Sequence, residues 1–107
     1  MPELKIQEAN MLFKKIYSNP KDYNLSFLDG IIAGKDEQIS FRLFKNGDQN
    51  TFEVEIDNLT FTNSTGEWHN AMIMLTNTIR RLDKEKENQK IEEARKKLKK
   101  YLSEEKK

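Results

Sequence analysis

Apolar residues recur along the chain with two periods, one near 3.6 and one of two, and the changes between them mark out the predicted elements. Over residues 4–17, Ile6, Ala9, Phe13 and Ile16 are three or four positions apart and share one stripe of an amphipathic helix. Pro2 suits the first turn of that helix. Glu3 and Glu8 lie toward its start, Lys14 and Lys15 lie toward its end, and Asn19 followed by Pro20 stops it.

From Leu25 the rhythm becomes alternating. Ile39, Phe41 and Leu43 alternate with Ser40 and Arg42. After a turn expected at Asn46-Gly47 the pattern returns as Phe52, Val54 and Ile56 against Glu53 and Glu55, which predicts a hairpin. Asp57-Asn58 tolerates the left-handed backbone of a two-residue turn, and Leu59-Thr60-Phe61-Thr62 reads as a short returning strand. Upstream, Leu25, Phe27, Ile31 and Ile32 flank Asp29-Gly30, which fits either a hairpin turn or a bulge inside one strand. The expectation is an antiparallel meander with Phe27, Phe41, Phe52 and Phe61 on its inward side, joined there by Phe13 and Trp68.

Asn63-Ser64-Thr65-Gly66 is expected to end the sheet, with Ser64 or Thr65 capping the next helix and Glu67 in its first turn. Trp68, Met72, Leu75, Ile79 and Leu82 form a stripe that should cover the meander, burying Phe41, Val54 and Ile56 beneath Trp68, Leu75 and Ile79. A second set, Ile91, Ala94, Leu98 and Tyr101 or Leu102, has the same spacing but does not continue the first. Leu82 and Ile91 are separated by about 900° of rotation at roughly 100° per residue, so the second stripe points the opposite way. Either the helix breaks between Asp83 and Lys90, or it runs straight and offers that stripe to something else. Residues 83–90 contain no Gly or Pro, which makes a continuous helix the simpler case. The fold class is therefore α+β: an N-terminal helix, an antiparallel three- to four-stranded β-meander and a long C-terminal amphipathic helix. Residues 1–82 are assigned to a globular domain and residues 83–107 to a charged helical extension.

Composition narrows the chemistry. With 107 residues, 36 % hydrophobic and 35 % charged, the chain holds one domain and no large enzyme fold. It has no cysteine, which removes disulfides, thiolate metal sites and thiol nucleophiles. No stretch approaches the roughly 18 apolar residues of a membrane span, and the first fifteen residues lack an export signal, so a cytoplasmic protein without membrane contact is expected. The single histidine, His69, is read as a partly exposed residue at a helix start. Glu53 and Glu55 are read as the solvated side of a hairpin. The four glycines form no phosphate-binding pattern, so no cofactor, metal or small-molecule substrate is indicated.

The charge is unevenly divided. Through Ile79 the chain has seven Lys/Arg and eleven Asp/Glu, a net of −4. From Arg80 onward it has twelve and seven, a net of +5. A meander followed by a helix is similar in layout to small single-strand-binding domains of the Whirly kind, although no family motif is matched. That resemblance implies a cationic, aromatic sheet face. The outward positions here are instead Ser40, Arg42, Phe44, Glu53, Glu55, Thr60 and Thr62, with one cation and two carboxylates. The alternative nucleic-acid surface is the basic helix, through Arg80, Arg81, Lys84, Arg95, Lys96, Lys97, Lys99 and Lys100. Their interleaving with Asp83, Glu85, Glu87, Glu92 and Glu93 lowers the field.

The sequence thus leads to the expectation of a non-enzymatic protein-binding or assembly module that contacts itself or a protein partner through Ile91, Ala94, Leu98, Tyr101 and Leu102. Nucleic-acid binding is the alternative. The short, Lys- and Asn-rich chain suits a regulatory or host-interaction protein of a phage or mobile element.

Overall fold

The computed structural model describes residues 2–105. In chain order these form α1 (Ile6–Ser18), a 3-10 turn (Pro20–Tyr23), β1 (Ser26–Leu28), β2 (Ile31–Lys35), β3 (Ile39–Asn46), β4 (Gln49–Ile56) and β5 (Leu59–Thr65). A second 3-10 turn (Gly66–Trp68) then leads into α2 (His69–Glu105). Met1 of the predicted globular part, and residues 106 and 107 of the predicted extension, lie outside the described residues.

The fold is α+β, with one antiparallel sheet in the order β1-β2-β3-β4-β5. The sheet has five strands rather than three to four, because Asp29-Gly30 is a hairpin turn. Its two residues have φ of 53° and 77°, and Leu28 pairs with Ile31 across them. Positive φ at both central positions is the I′ pattern, whose twist suits paired strands. Asp57 and Asn58, at 52° and 63°, repeat it between β4 and β5. The β3–β4 turn falls one residue later than expected. Asn46 pairs with Gln49, so Gly47-Asp48 is central, and the positive φ of 64° is on Gly47, the residue type that bears it without strain. Between β2 and β3, Asp36 Oδ1 accepts the N–H groups of Gln38 (2.8 Å) and Ile39 (2.9 Å).

Register fixes the faces of the sheet. Ile32, Leu43 and Phe52 form one cross-strand row, and Gly34, Phe41, Val54 and Phe61 the next. Both rows face α1 and the first part of α2. Ala9, Phe13 and Ile16 of α1 and Leu75 and Ile79 of α2 are buried against them. Phe13 stacks on Phe52 with ring centroids 4.5 Å apart, and Trp68 meets Phe52 edge-on at 5.8 Å. Phe41 is wedged edge-on between Tyr23 (6.0 Å) and Phe52 (5.9 Å). Phe41 and Val54 are thus buried as expected.

Several expectations need correction. Ile56 is 36 % exposed and Phe27 is 40 % exposed. Both lie on the inward side, but Ile56 is at the far end of its strand and Phe27 is on the three-residue edge strand, outside the cover the helices supply. Helix α1 starts at Ile6 rather than Leu4, with the Lys5 N–H held by Glu8 Oε1 at 3.0 Å. Pro2 is not in its first turn: Pro2 O accepts from Thr62 N–H, and Leu4 N–H donates to Thr62 O, so the leading residues extend along β5. The sheet also continues past Thr62 through Thr65, and the Thr51 and Ser64 hydroxyls bond at 2.8 Å. Thr65 Oγ1 then accepts Glu67 N–H at 3.2 Å, capping the turn into α2 as expected.

Candidate functional site

Helix α2 has 37 residues, about 55 Å at 1.5 Å per residue, and the sheet needs only part of it. Near its start the Tyr17 hydroxyl donates to Ala71 O at 2.9 Å. Leu75 and Ile79 are buried and Leu82 is half-buried. From Asp83 to Glu104 every residue is exposed. The helix does not break in residues 83–90, so the second apolar stripe is carried away from the body instead of folding back. The molecule measures 68 × 29 × 23 Å with a radius of gyration of 19.0 Å, against roughly 13 Å for a compact chain of about this length.

The stripe nominated in the sequence lies on this projecting segment. Ile91, Leu98 and Leu102 are each about half exposed, Tyr101 is 56 % exposed and Ala94 is exposed beside them. These residues share one side of a straight helix, with Ile91 and Leu98 seven positions apart. A side chain held at half exposure on an isolated helix has one flank in water, so this surface gains free energy when it is covered.

The eight cations named as an alternative surface are also exposed, but they are not brought together. Arg95, Lys96 and Lys97 are successive residues and so point about 100° apart, and Lys99 and Lys100 spread further round the helix. The outward side of the sheet does not compensate. Its Arg42 is paired with Glu53 at 2.6 Å and lies over the Phe44 ring at 5.6 Å, so that cation is neutralised and that ring is covered, and Lys35 on the same side is matched by Glu55. A shallow groove of about 490 Å³ on this face has Lys35, Ser40, Glu55 and Thr60 along its walls.

His69 is exposed at the start of α2. Glu53 is engaged by Arg42, and Glu55 faces Ser40 and Thr60 across the register. Among the described residues no three His, Cys, Asp or Glu side chains are placed to hold a metal ion, and no helix is long and apolar enough to cross a membrane.

One surface escaped the sequence reading. At the end of the sheet formed by the β2–β3 and β4–β5 turns, Ile39, Ile56 and Leu59 lie side by side across three strands. Ile56 is 36 % and Leu59 55 % exposed. A depression of about 410 Å³ between the two turns is lined by Asp36, Glu37, Ile39, Ile56 and Asp57, and by Lys35 and Glu55 of the outward side, and the Lys15 charge also acts on Asp36. The backbone N–H groups of Ile39 and then Gln38 hold the Asp36 carboxyl below the usual aspartate range, so it stays charged. The signal for this cluster in the sequence is weak, because Asp36-Glu37 and Glu55-Asp57 are nearly twenty positions apart and only the Ile39–Ile56 pairing joins them. No family model, curated protein or solved structure matches this chain at a significant level.

Proposed function

We propose that this chain is a small non-enzymatic protein-binding or assembly module of the cytoplasm, with residues 91–102 of α2 as its contact element. The observation that carries the reading is the uninterrupted run of α2 beyond the sheet with Ile91, Leu98 and Leu102 half exposed on one side. In proteins most helical stability comes from packing an amphipathic face rather than from intrinsic propensity. Docking supplies that packing. Nucleic-acid binding has less support, since the cations encircle the helix instead of forming one face.

The test is light scattering on the full chain and on a chain ending at Lys90, joined to cross-linking in the source cells with the full chain and its Leu98→Asp variant. The expected result is an adduct or a mass increase that needs the intact stripe. Monomers in both forms, with identical cross-linked products from full chain and variant, would overturn the reading. A gel shift of nucleic acid at nanomolar protein and physiological salt would replace it with the alternative.

A further inference from the structure

The charges beside the α2 stripe select what can cover it. In a heptad frame Ile91 and Leu98 take the a positions and Ala94 takes d. Two such tails paired in parallel set Lys90 at g against Arg95 at e. Paired antiparallel on the same layers, they set Arg95 against Arg95 and Lys97 against Lys97. Both arrangements align like charges over about two heptads, fewer than the three or four that sustain a coiled coil. A tail-to-tail contact is therefore disfavoured.

Residues 90–102 contain six cations and two carboxylates, a net of +4. The complementary surface is apolar at its centre and acidic around its rim. The end of the sheet has that form. Ile39, Ile56 and Leu59 make its centre, and Asp36, Glu37 and Asp57 of the two turns outnumber the nearby Lys15 for a net of −2. A straight helix cannot bend back onto its own sheet, so the tail of one molecule meets this surface on another. α2 also leaves the body at this same end, passing Asn24 and Leu25 just before β1. Two copies set end to end therefore bring each tail toward the other's acidic surface.

We infer that the basic apolar stripe of α2 docks on the acidic apolar end of the sheet, at Ile39, Ile56 and Leu59, in a second copy of this chain. The inference rests on the reading of α2 as the contact element and adds its occupant. A twelve-residue helical segment is about 18 Å long. Laid over three side chains it buries less than the roughly 1,200 to 2,000 Å² of a stable interface, so each contact is weak and the pairing depends on concentration.

The experiment is sedimentation equilibrium on the full chain and two charge-reversed forms. In one, Arg95, Lys97, Lys99 and Lys100 become Glu, which turns the tail from +4 to −4. In the other, Glu37→Lys and Asp57→Asn turn the sheet end from −2 to +1, with Asn keeping the left-handed turn that Asp57 occupies. The native chain is expected to associate, with its Kd rising about tenfold between low and high salt. Each reversed form alone is expected to be monomeric, and an equimolar mixture of the two to pair. The sheet-reversed form associating as tightly as the native chain would overturn the inference while leaving α2 as the contact element. A mixture that stays monomeric, with both forms retaining the native near-ultraviolet signal of Trp68, would also overturn it. If a reversed form does not fold, the native chain decides: association unchanged or strengthened by salt contradicts a charge-matched contact. A native chain monomeric at every concentration overturns the inference, and the Leu98→Asp cross-linking comparison then settles the broader reading by itself.

Discussion

Gly34 faces Phe41 across the β2–β3 pair, and the close approach of the ring leaves no room for a side chain. A Cβ built on Gly34 meets Phe41 Cζ in hard overlap, lies 2.7 Å from Phe41 Cε2 and 2.9 Å from Leu25 Cδ2. The backbone at Gly34 is outside the positive-φ region, so the cost of Gly34→Ala is steric alone. Phe41 cannot yield freely, since it is 2 % exposed and edge-packed on both Tyr23 and Phe52. Overpacking of this kind costs about 1 to 3 kcal/mol, and the lower entropy of the unfolded alanine chain offsets about 0.4 to 1 kcal/mol. The net loss is about 1 to 2 kcal/mol. For a domain near 100 residues that lowers Tm by roughly 4 to 15 °C. Urea and thermal unfolding followed by Trp68 fluorescence measure it. Adding Phe41→Leu relieves the overlap, so the two substitutions should couple: Gly34→Ala should cost less in a chain that already carries Phe41→Leu than in the native one. A Gly34→Ala protein as stable as the native chain, or more so, would refute the steric account.

The remaining predictions concern the core, the surface and pH. Phe52→Ala removes a fully buried ring that stacks on Phe13 and should cost about 3 to 5 kcal/mol by urea unfolding, a large part of an ordinary domain's stability. Arg42→Ala breaks an ion pair whose arginine side chain is 54 % exposed and should cost less than about 1 kcal/mol in the same assay. Burial raises the pKa of Tyr17 and of Tyr23, the latter helped by the nearby Asp36 and Asp22 charges. Both hydroxyls are then neutral in the fold when the unfolded chain would ionise. Their stabilisation is fully present below the ordinary tyrosine pKa of 10.0 and is lost as pH rises through the raised values. Alkaline titration followed by circular dichroism should show stability falling above about pH 10, and a flat profile to the onset of chain hydrolysis would contradict the burial.

Much of the fold is legible in the sequence because single physical rules act without rivals there. The alternation from Ile39 to Leu43 and from Phe52 to Ile56 fixes both faces of the β3–β4 hairpin, and the rotation of about 900° between Leu82 and Ile91 separates the two α2 stripes. Where two rules compete, the sequence leaves alternatives or misplaces a residue. Asp29-Gly30 serves a bulge as readily as a turn, and only the pairing of Phe27 with Ile32 decides the matter. Pro2 is compatible with a helix start, yet the backbone hydrogen bonds offered by Thr62 hold it along β5. Ile56 alternates correctly but sits at a strand end, and a period of two carries no information about how far the covering helices extend. The α2 stripe was visible as a pattern within one element. The acidic end of the sheet was not, since it is assembled from two turns by strand register.

The central claim, that residues 91–102 are a docking element, is tested most directly by amide hydrogen exchange of the intact chain over a wide range of protein concentration. A helical segment projecting alone into water opens readily, and docking suppresses that opening. Protection at residues 91–102 is expected to rise with concentration, together with protection around Ile56 and Leu59, while the already protected Phe41 and Phe52 region stays constant. Exchange in residues 91–102 that is fast and independent of concentration, both for the pure chain and in extract of its own cells, would contradict the claim.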